Sequence, residues 1–318
     1  MLTALILIVG LIAALFAFSK VVGKSAEIAL PANGKITAVR GAKIHWVEMG
    51  QGDPLVMIHG LGGNLRHFTY RLAPLLAATH RVIVIDRPGC GWSERDGETQ
   101  ASLPEQARII ADFLEAEGIA SPTLVGHSLG GAVSLTVALN HPDRVGALAL
   151  IAPDTQPIAE TPEVFKGLDI ASPTLRGILA WTISQPLGLL LERKIFGEIY
   201  APEPVQEDAW WTAGYRFGRR GETFISTSED LVQSRASVAE IQDREDELHC
   251  PIGVLYGDSD NILDPALHGG IFAEKSGAHL EMLAGKGHML PMTAPARCAA
   301  FVREIASLTS AEPQALSA

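Results

Sequence analysis

Gly126-His127-Ser128-Leu129-Gly130 follows directly on the apolar run 122–125, and this G-x-S-x-G pattern constrains the fold more than any other stretch of the chain. A serine at a sharp turn between a buried strand and a helix must adopt strained backbone geometry, and glycines two residues either side leave room for the close packing of such a turn. Residues 130–141 carry Ala132, Val133, Leu135, Thr136, Ala138 and Leu139, a small-residue helix apolar on nearly every face that stops at Asn140-His141-Pro142. Residues 145–151 read as a second buried strand. Two buried strands joined by a buried helix predict a right-handed crossover and a parallel sheet, with chemistry at the carboxyl ends of the strands. Ser128 stands at such an end.

Elsewhere the pattern agrees with an alternating α/β chain. Residues 35–39 and 43–48 predict an opening hairpin turned at Arg40-Gly41-Ala42, and residues 65–76 a first helix. Ser102-Leu103-Pro104-Glu105 is a capping-box sequence ahead of Ala107, Ile110, Ala111 and Leu114 at helical spacing. Residues 295–308 predict a closing helix with Ala299, Val302 and Ile305 on one face, followed by a polar tail at 309–318.

Four further motifs follow predicted strands in order. His59-Gly60-Leu61-Gly62-Gly63 follows 54–58, Asp86-Arg87-Pro88-Gly89-Cys90-Gly91-Trp92-Ser93 follows 82–85, Gly257-Asp258-Ser259-Asp260 follows 252–256, and Gly285-Lys286-Gly287-His288 follows 280–283. In that order, with the serine motif between the second and third, the chain resembles the α/β-hydrolase fold family over about residues 35–308. The resemblance implies a mostly parallel eight-stranded sheet flanked by helices, in two parts, 35–153 and 244–308. It also implies a helical cap at 154–243, inserted after the sixth strand, where prolines and the aromatics Trp181, Trp210, Trp211, Tyr215, Phe217 and Phe224 replace strand periodicity.

The chemistry asks for the same groups. A serine hydroxyl is a poor nucleophile at neutral pH, so an imidazole must take its proton and a carboxylate must hold that imidazole in the right tautomer. Ser128, Asp260 and His288 occur in the Ser, Asp, His order of this architecture. The family's spacing favours Asp260 as the acid, with Asp258, Asp264 and Asp154 as the other carboxylates in reach. The amides of Leu61 and Leu129 are the expected oxyanion donors, Leu129 opening a helix whose dipole favours negative charge. His59 is expected to brace the oxyanion turn. Phe68, Trp92, Trp181, Trp210 and Trp211 are candidate walls of an apolar substrate pocket.

A formal net charge of −11 without clustered Lys and Arg argues against a nucleic-acid partner. Cys90, Cys250 and Cys298 are odd in number and widely spaced, giving neither a disulfide framework nor a metal or redox pattern, although Cys90 lies near the active-site face and is a candidate for thiol modification. No metal and no cofactor is implied. The apolar segment 2–18, followed by Lys20, Lys24, Lys35, Arg40 and Lys43, predicts within residues 1–24 either a membrane anchor with a cytoplasmic catalytic domain or a signal segment cleaved on export.

These features lead to an expectation of a serine hydrolase acting on a small-molecule carboxylic ester through an acyl-enzyme. The serine stands where haloalkane dehalogenases and epoxide hydrolases of this fold carry an aspartate. Carbon–carbon hydrolysis of ring-cleavage diketones, lactone opening, perhydrolysis and acyl transfer use the same triad and stay open, as does a non-catalytic binding module. A dienoate carboxylate would call on a cation such as Arg66 or Arg216.

Overall fold

In the computed structural model, which describes residues 1–309, nine strands form one sheet: β1 (Lys35–Val39), β2 (Ala42–Met49), β3 (Pro54–Ile58), β4 (Arg81–Ile85), β5 (Glu94–Arg95), β6 (Thr123–His127), β7 (Ala147–Ile151), β8 (Ile252–Gly257) and β9 (His279–Leu283). Their order is β1-β2-β4-β3-β6-β7-β8-β9, with the two-residue β5 pairing against β2. From β4 to β9 every neighbouring pair is parallel, and β1 and β2 close one edge as an antiparallel hairpin. The eight longer strands are the expected mostly parallel sheet.

The middle strands are apolar along their length because helices cover both faces, leaving no solvent side to reward alternation. Side-chain direction still alternates. Val56 and Ile58 belong to one core with the Leu103–Ala116 and Leu129–Asn140 helices, while Leu55 and Met57 belong to another with Phe68, Leu72 and the closing Pro295–Thr309 helix.

Three local readings change. The expected 65–76 helix is two short turns, Arg66–Thr69 and Leu72–Leu76, because Pro74 has no N–H for the Tyr70 carbonyl and its ring would clash there. The capping box does not form, since Ser102 Oγ donates to Thr99 O and the Leu103 amide is taken by Ser237 Oγ. Thr309 remains helical, and the rest of the expected tail, 310–318, lies outside the described residues.

Between β7 and β8 the chain leaves the sheet for helices at Pro173–Trp181, Ser184–Tyr200 and Gly221–Ile241. The amino terminus is a single helix, Leu2–Ala29, long and apolar enough to cross a bilayer, whose buried residues are only Ser19, Gly23 and Ala26.

Candidate active site

Ser128 terminates β6 with φ 55 and ψ −125, a left-handed conformation that few non-glycine residues adopt. Its amide donates to Ile151 O at 3.1 Å, and its carbonyl accepts from Gly131 N at 2.8 Å and Asp154 N at 3.1 Å. The strained turn is therefore over-determined by its surroundings. The flanking glycines are required by packing: a Cβ at Gly126 would lie 2.6 Å from both Gly130 O and Ser134 Oγ, and one at Gly130 would overlap the Ile58 carbonyl.

The turn at residues 59–63, the expected oxyanion turn, lies against the serine, since a Cβ at Gly60 would come within 2.9 Å of Ser128 Cβ and 3.3 Å of Ser128 Oγ. The Leu61 amide finds no acceptor among the described residues. Leu129 opens its helix, so its amide has no intrahelical partner. Leu61, Leu129 and Ser128 line one cavity of about 40 Å³ with Asp154, Ile158, Phe165, Ile262 and Leu263, roofed by Leu231, Ser234, Arg235 and Val238 of the Gly221–Ile241 helix.

His288 and Asp260 meet by a 2.7 Å hydrogen bond from Nδ1 to Oδ2, both side chains buried. Asp260 Oδ1 accepts from the amides of Ile262 at 2.8 Å and Leu263 at 3.1 Å. Burial alone would push this carboxyl up, but His288 and the two amides outweigh it and hold it below the usual carboxylate range. The other candidate acids are engaged elsewhere. Asp258 accepts from Gly285 N at 2.7 Å and Ser259 Oγ, bracing the turn before His288, and Asp264 caps Ala266 N. Asp154 lines the cavity, yet its Oδ1 is buried with no hydrogen-bond partner, and burial raises its carboxyl to about 7.

His288 lies against the residue before Ser128, since His127 Nε2 donates to His288 O at 3.0 Å and its ring centroid lies 5.1 Å from that of His288. No hydrogen bond joins Ser128 Oγ to His288 among the described residues. His59 donates from Nδ1 to Gly60 O at 2.9 Å and accepts the Arg87 amide at Nε2, so its ring is neutral, and burial keeps its pKa well below the usual range. It braces the turn.

The five candidate aromatic walls lie away from this cavity. Phe68 is core beneath the sheet, Trp92 packs on Phe217 and donates to Leu30 O, Trp181 lies against Phe16 and Lys20, Trp210 against Phe196 and Tyr215, and Trp211 is exposed beside Arg216. Nor does Cys90 suit modification, being buried, with its thiol pushed up to about 12 by that burial.

Three residues to which sequence reasoning gave no role support the site, Glu203 and Asp230 outside any motif and Arg87 within the one that follows β4. Glu203 accepts Gly287 N at 2.8 Å and Lys286 Nζ at 3.0 Å, fixing the loop that carries His288. Arg87, fully buried, donates to His59 O, Gly60 O, Gln106 Oε1 and Asp230 Oδ2, joining the oxyanion turn to the roof helix. Asp230 also takes Arg95. The Arg87–Asp230 and Glu203–Gly287 partners are 143 and 84 positions apart, beyond any local pattern.

Residues 53–295 match the family model for the alpha/beta hydrolase fold. The chain is 43% identical over 116 residues to the dihydrolipoyllysine-residue acetyltransferase component of the acetoin cleaving system of Pseudomonas putida, covering 36% of this chain and 31% of that protein. It is 33% identical over 169 residues to the pimeloyl-[acyl-carrier protein] methyl ester esterase of Aeromonas hydrophila, covering 52% and 63%. The chain thus spans less than two thirds of the length of either curated relative. Among solved structures, the enol-lactonase from Burkholderia xenovorans LB400 superposes with a TM-score of 0.67 at 21% identity, over 87% of this chain and 100% of that one.

Proposed function

The chain belongs to the α/β-hydrolase fold family, and on that premise we propose that it is a serine hydrolase cleaving a small-molecule carboxylic ester through an acyl-enzyme. Ser128 Oγ attacks the ester carbonyl while His288 Nε2 takes its proton and then delivers it to the leaving alcohol. Water releases the acyl group by the same path in reverse. Asp260 keeps the His288 proton on Nδ1, which leaves Nε2 with a free lone pair for this work. The amides of Leu61 and Leu129 receive the oxyanion, and one such donor contributes roughly 3 kcal/mol to lowering the barrier. The 2.7 Å contact of His288 with Asp260, beside a serine held at φ 55, is the observation that carries this reading.

An ester suits the cavity better than a dienoate carboxylate does. Arg66 is bonded to Pro31 O and Asn33 Oδ1, Arg216 lies over Trp211, and the one arginine on the cavity, Arg235, is occupied by Thr161 and Asp169.

In this reading residues 154–243 act as a cap over a core formed by 35–153 and 244–308. Residues 1–24 act as a retained single span with the catalytic domain on the cytoplasmic side, toward Lys20 and Lys24. Retention is supported by contacts of residues that cleavage near Ser19 would remove, Phe16 packing 5.9 Å from Trp181 and Ser19 being buried.

A fluorophosphonate probe tests the proposal. The full-length protein should label covalently and hydrolyse p-nitrophenyl esters, and Ser128→Ala should lose both. A folded wild-type protein that does not label, or labelling that survives Ser128→Ala, rejects it.

A further inference from the structure

The N-terminal helix leaves the body beside an apolar corner of the segment between β7 and β8. Near its carboxyl end the helix is fastened to the body. Lys20 Nζ lies 3.5 Å from the Trp181 ring centroid and 3.7 Å from Glu222, the Phe16 ring lies 5.9 Å from Trp181, and Gly23 packs on the Arg219–Arg220 backbone. The helix therefore leaves the body beside the corner between the Pro173–Trp181 and Ser184–Tyr200 helices, so that with the residues ahead of Phe16 in lipid this corner comes to the hydrocarbon boundary.

The surface of that corner suits lipid. Residues 177–191 contain no charged side chain, and Ile178, Ile183, Leu187 and Leu190 are exposed, Leu190 at 78%. Of the eleven large hydrophobic side chains exposed beyond residue 29 among the described residues, five lie between 175 and 190. Scattered exposed apolar residues are ordinary, whereas a contiguous set is not. Charge resumes at Glu192, Arg193 and Lys194, and Trp181 with Lys20 beside it is the amphipathic pairing expected at an interface.

We propose that the 173–190 corner is a second membrane contact, lying in the bilayer interface alongside the N-terminal span and seating the body flush on the lipid. The inference rests on the anchor reading above. It also places the roof helix next to the membrane, because Gly221, its first residue, packs against the Trp181 ring.

The full-length chain carrying Cys250→Ser, in which Cys90 and Cys298 are buried, can take an environment-sensitive fluorophore at Ile8→Cys, Leu190→Cys or Met282→Cys, the last on β9. In phosphatidylcholine vesicles containing doxyl lipid, the labels at 8 and 190 should lose emission and the label at 282 should not. Retained fluorophosphonate labelling shows that each variant is folded. Quenching at 8 without quenching at 190 overturns the corner contact and leaves the anchor standing. Absence of quenching at 8 overturns both.

Discussion

His288 Nδ1 and Asp260 Oδ2 lie 2.7 Å apart, while the other Asp260 oxygen is fixed by two backbone amides, so the carboxylate presents one oxygen to the ring in a set direction. Replacing Asp260 by Asn keeps the shape but places a donor opposite the ring N–H, favouring the tautomer that cannot accept the Ser128 proton. In serine hydrolases with such a triad, that change slows turnover about 10⁴-fold. We expect a loss of that order for Asp260→Asn on p-nitrophenyl esters and less than tenfold for Asp258→Asn. The reverse ranking in turnover would reassign the acid.

Asp154 should announce itself through stability rather than turnover. His268 Nδ1 lies 3.5 Å from its Oδ1, but that nitrogen accepts the amides of Thr155 and Gln156 and so carries no proton to give. His268 itself is pushed down to about 4 by burial, and His288 is the other titratable group close enough to act on Asp154. With its pKa raised to about 7 in the folded chain and ordinary in the unfolded one, the folded state binds the extra proton between about pH 4 and 7. Stability is therefore intact below pH 4 and declines as pH rises to 7, by up to about 1.4 kcal/mol per unit. Thermal melts of Asp154→Asn should match wild type at pH 4 and exceed it increasingly up to pH 7, with ester hydrolysis retained. A melting difference that does not change with pH would refute the assignment.

How far the sequence could be read divides along one physical line. Strand positions and the serine turn were legible because each is specified within a few residues, by apolar runs and by glycines around a reactive side chain, whereas Asp260 and His288, 28 positions apart, were paired through the family resemblance. The roof was not. Ser234 and Val238 sit on a helix whose polar sequence gives no sign of which residues face a cavity, whereas Trp210 and Trp211 stood out by size alone and turned out to pack or be exposed elsewhere. Long-range ties such as Glu203 to Gly287 have no sequence signature.

Gly130→Ala tests the close packing beneath the serine turn. The added methyl would overlap the Ile58 carbonyl and lie 2.6 Å from His59 O, both backbone atoms held in place by β3 and the turn that follows it. Overpacking typically costs about 1–3 kcal/mol, and with rigid neighbours the upper end is expected, about 3 kcal/mol in denaturant unfolding. A loss under about 0.5 kcal/mol would mean that this contact is looser than described.

The buried Arg87–Asp230–Arg95 group makes the oxyanion turn depend on the roof. Asp230→Ala leaves the fully buried Arg87 without its counter-ion, while Arg95 keeps Glu229, and removing one partner of a buried ion pair costs about 3–5 kcal/mol. Arg87 also donates to His59 O and Gly60 O, the residues immediately before Leu61. A guanidinium freed from Asp230 can swing toward water and pull those carbonyls with it, moving the Leu61 amide away from the developing oxyanion. Since that amide acts mainly in the transition state, kcat for the folded fraction of Asp230→Ala should fall at least tenfold, with KM changed little. Asp230→Glu, which keeps the charge, should recover most of the stability and part of the rate. Equal kcat in Asp230→Ala and wild type, measured per folded molecule by active-site titration, would confine Asp230 to a purely structural role.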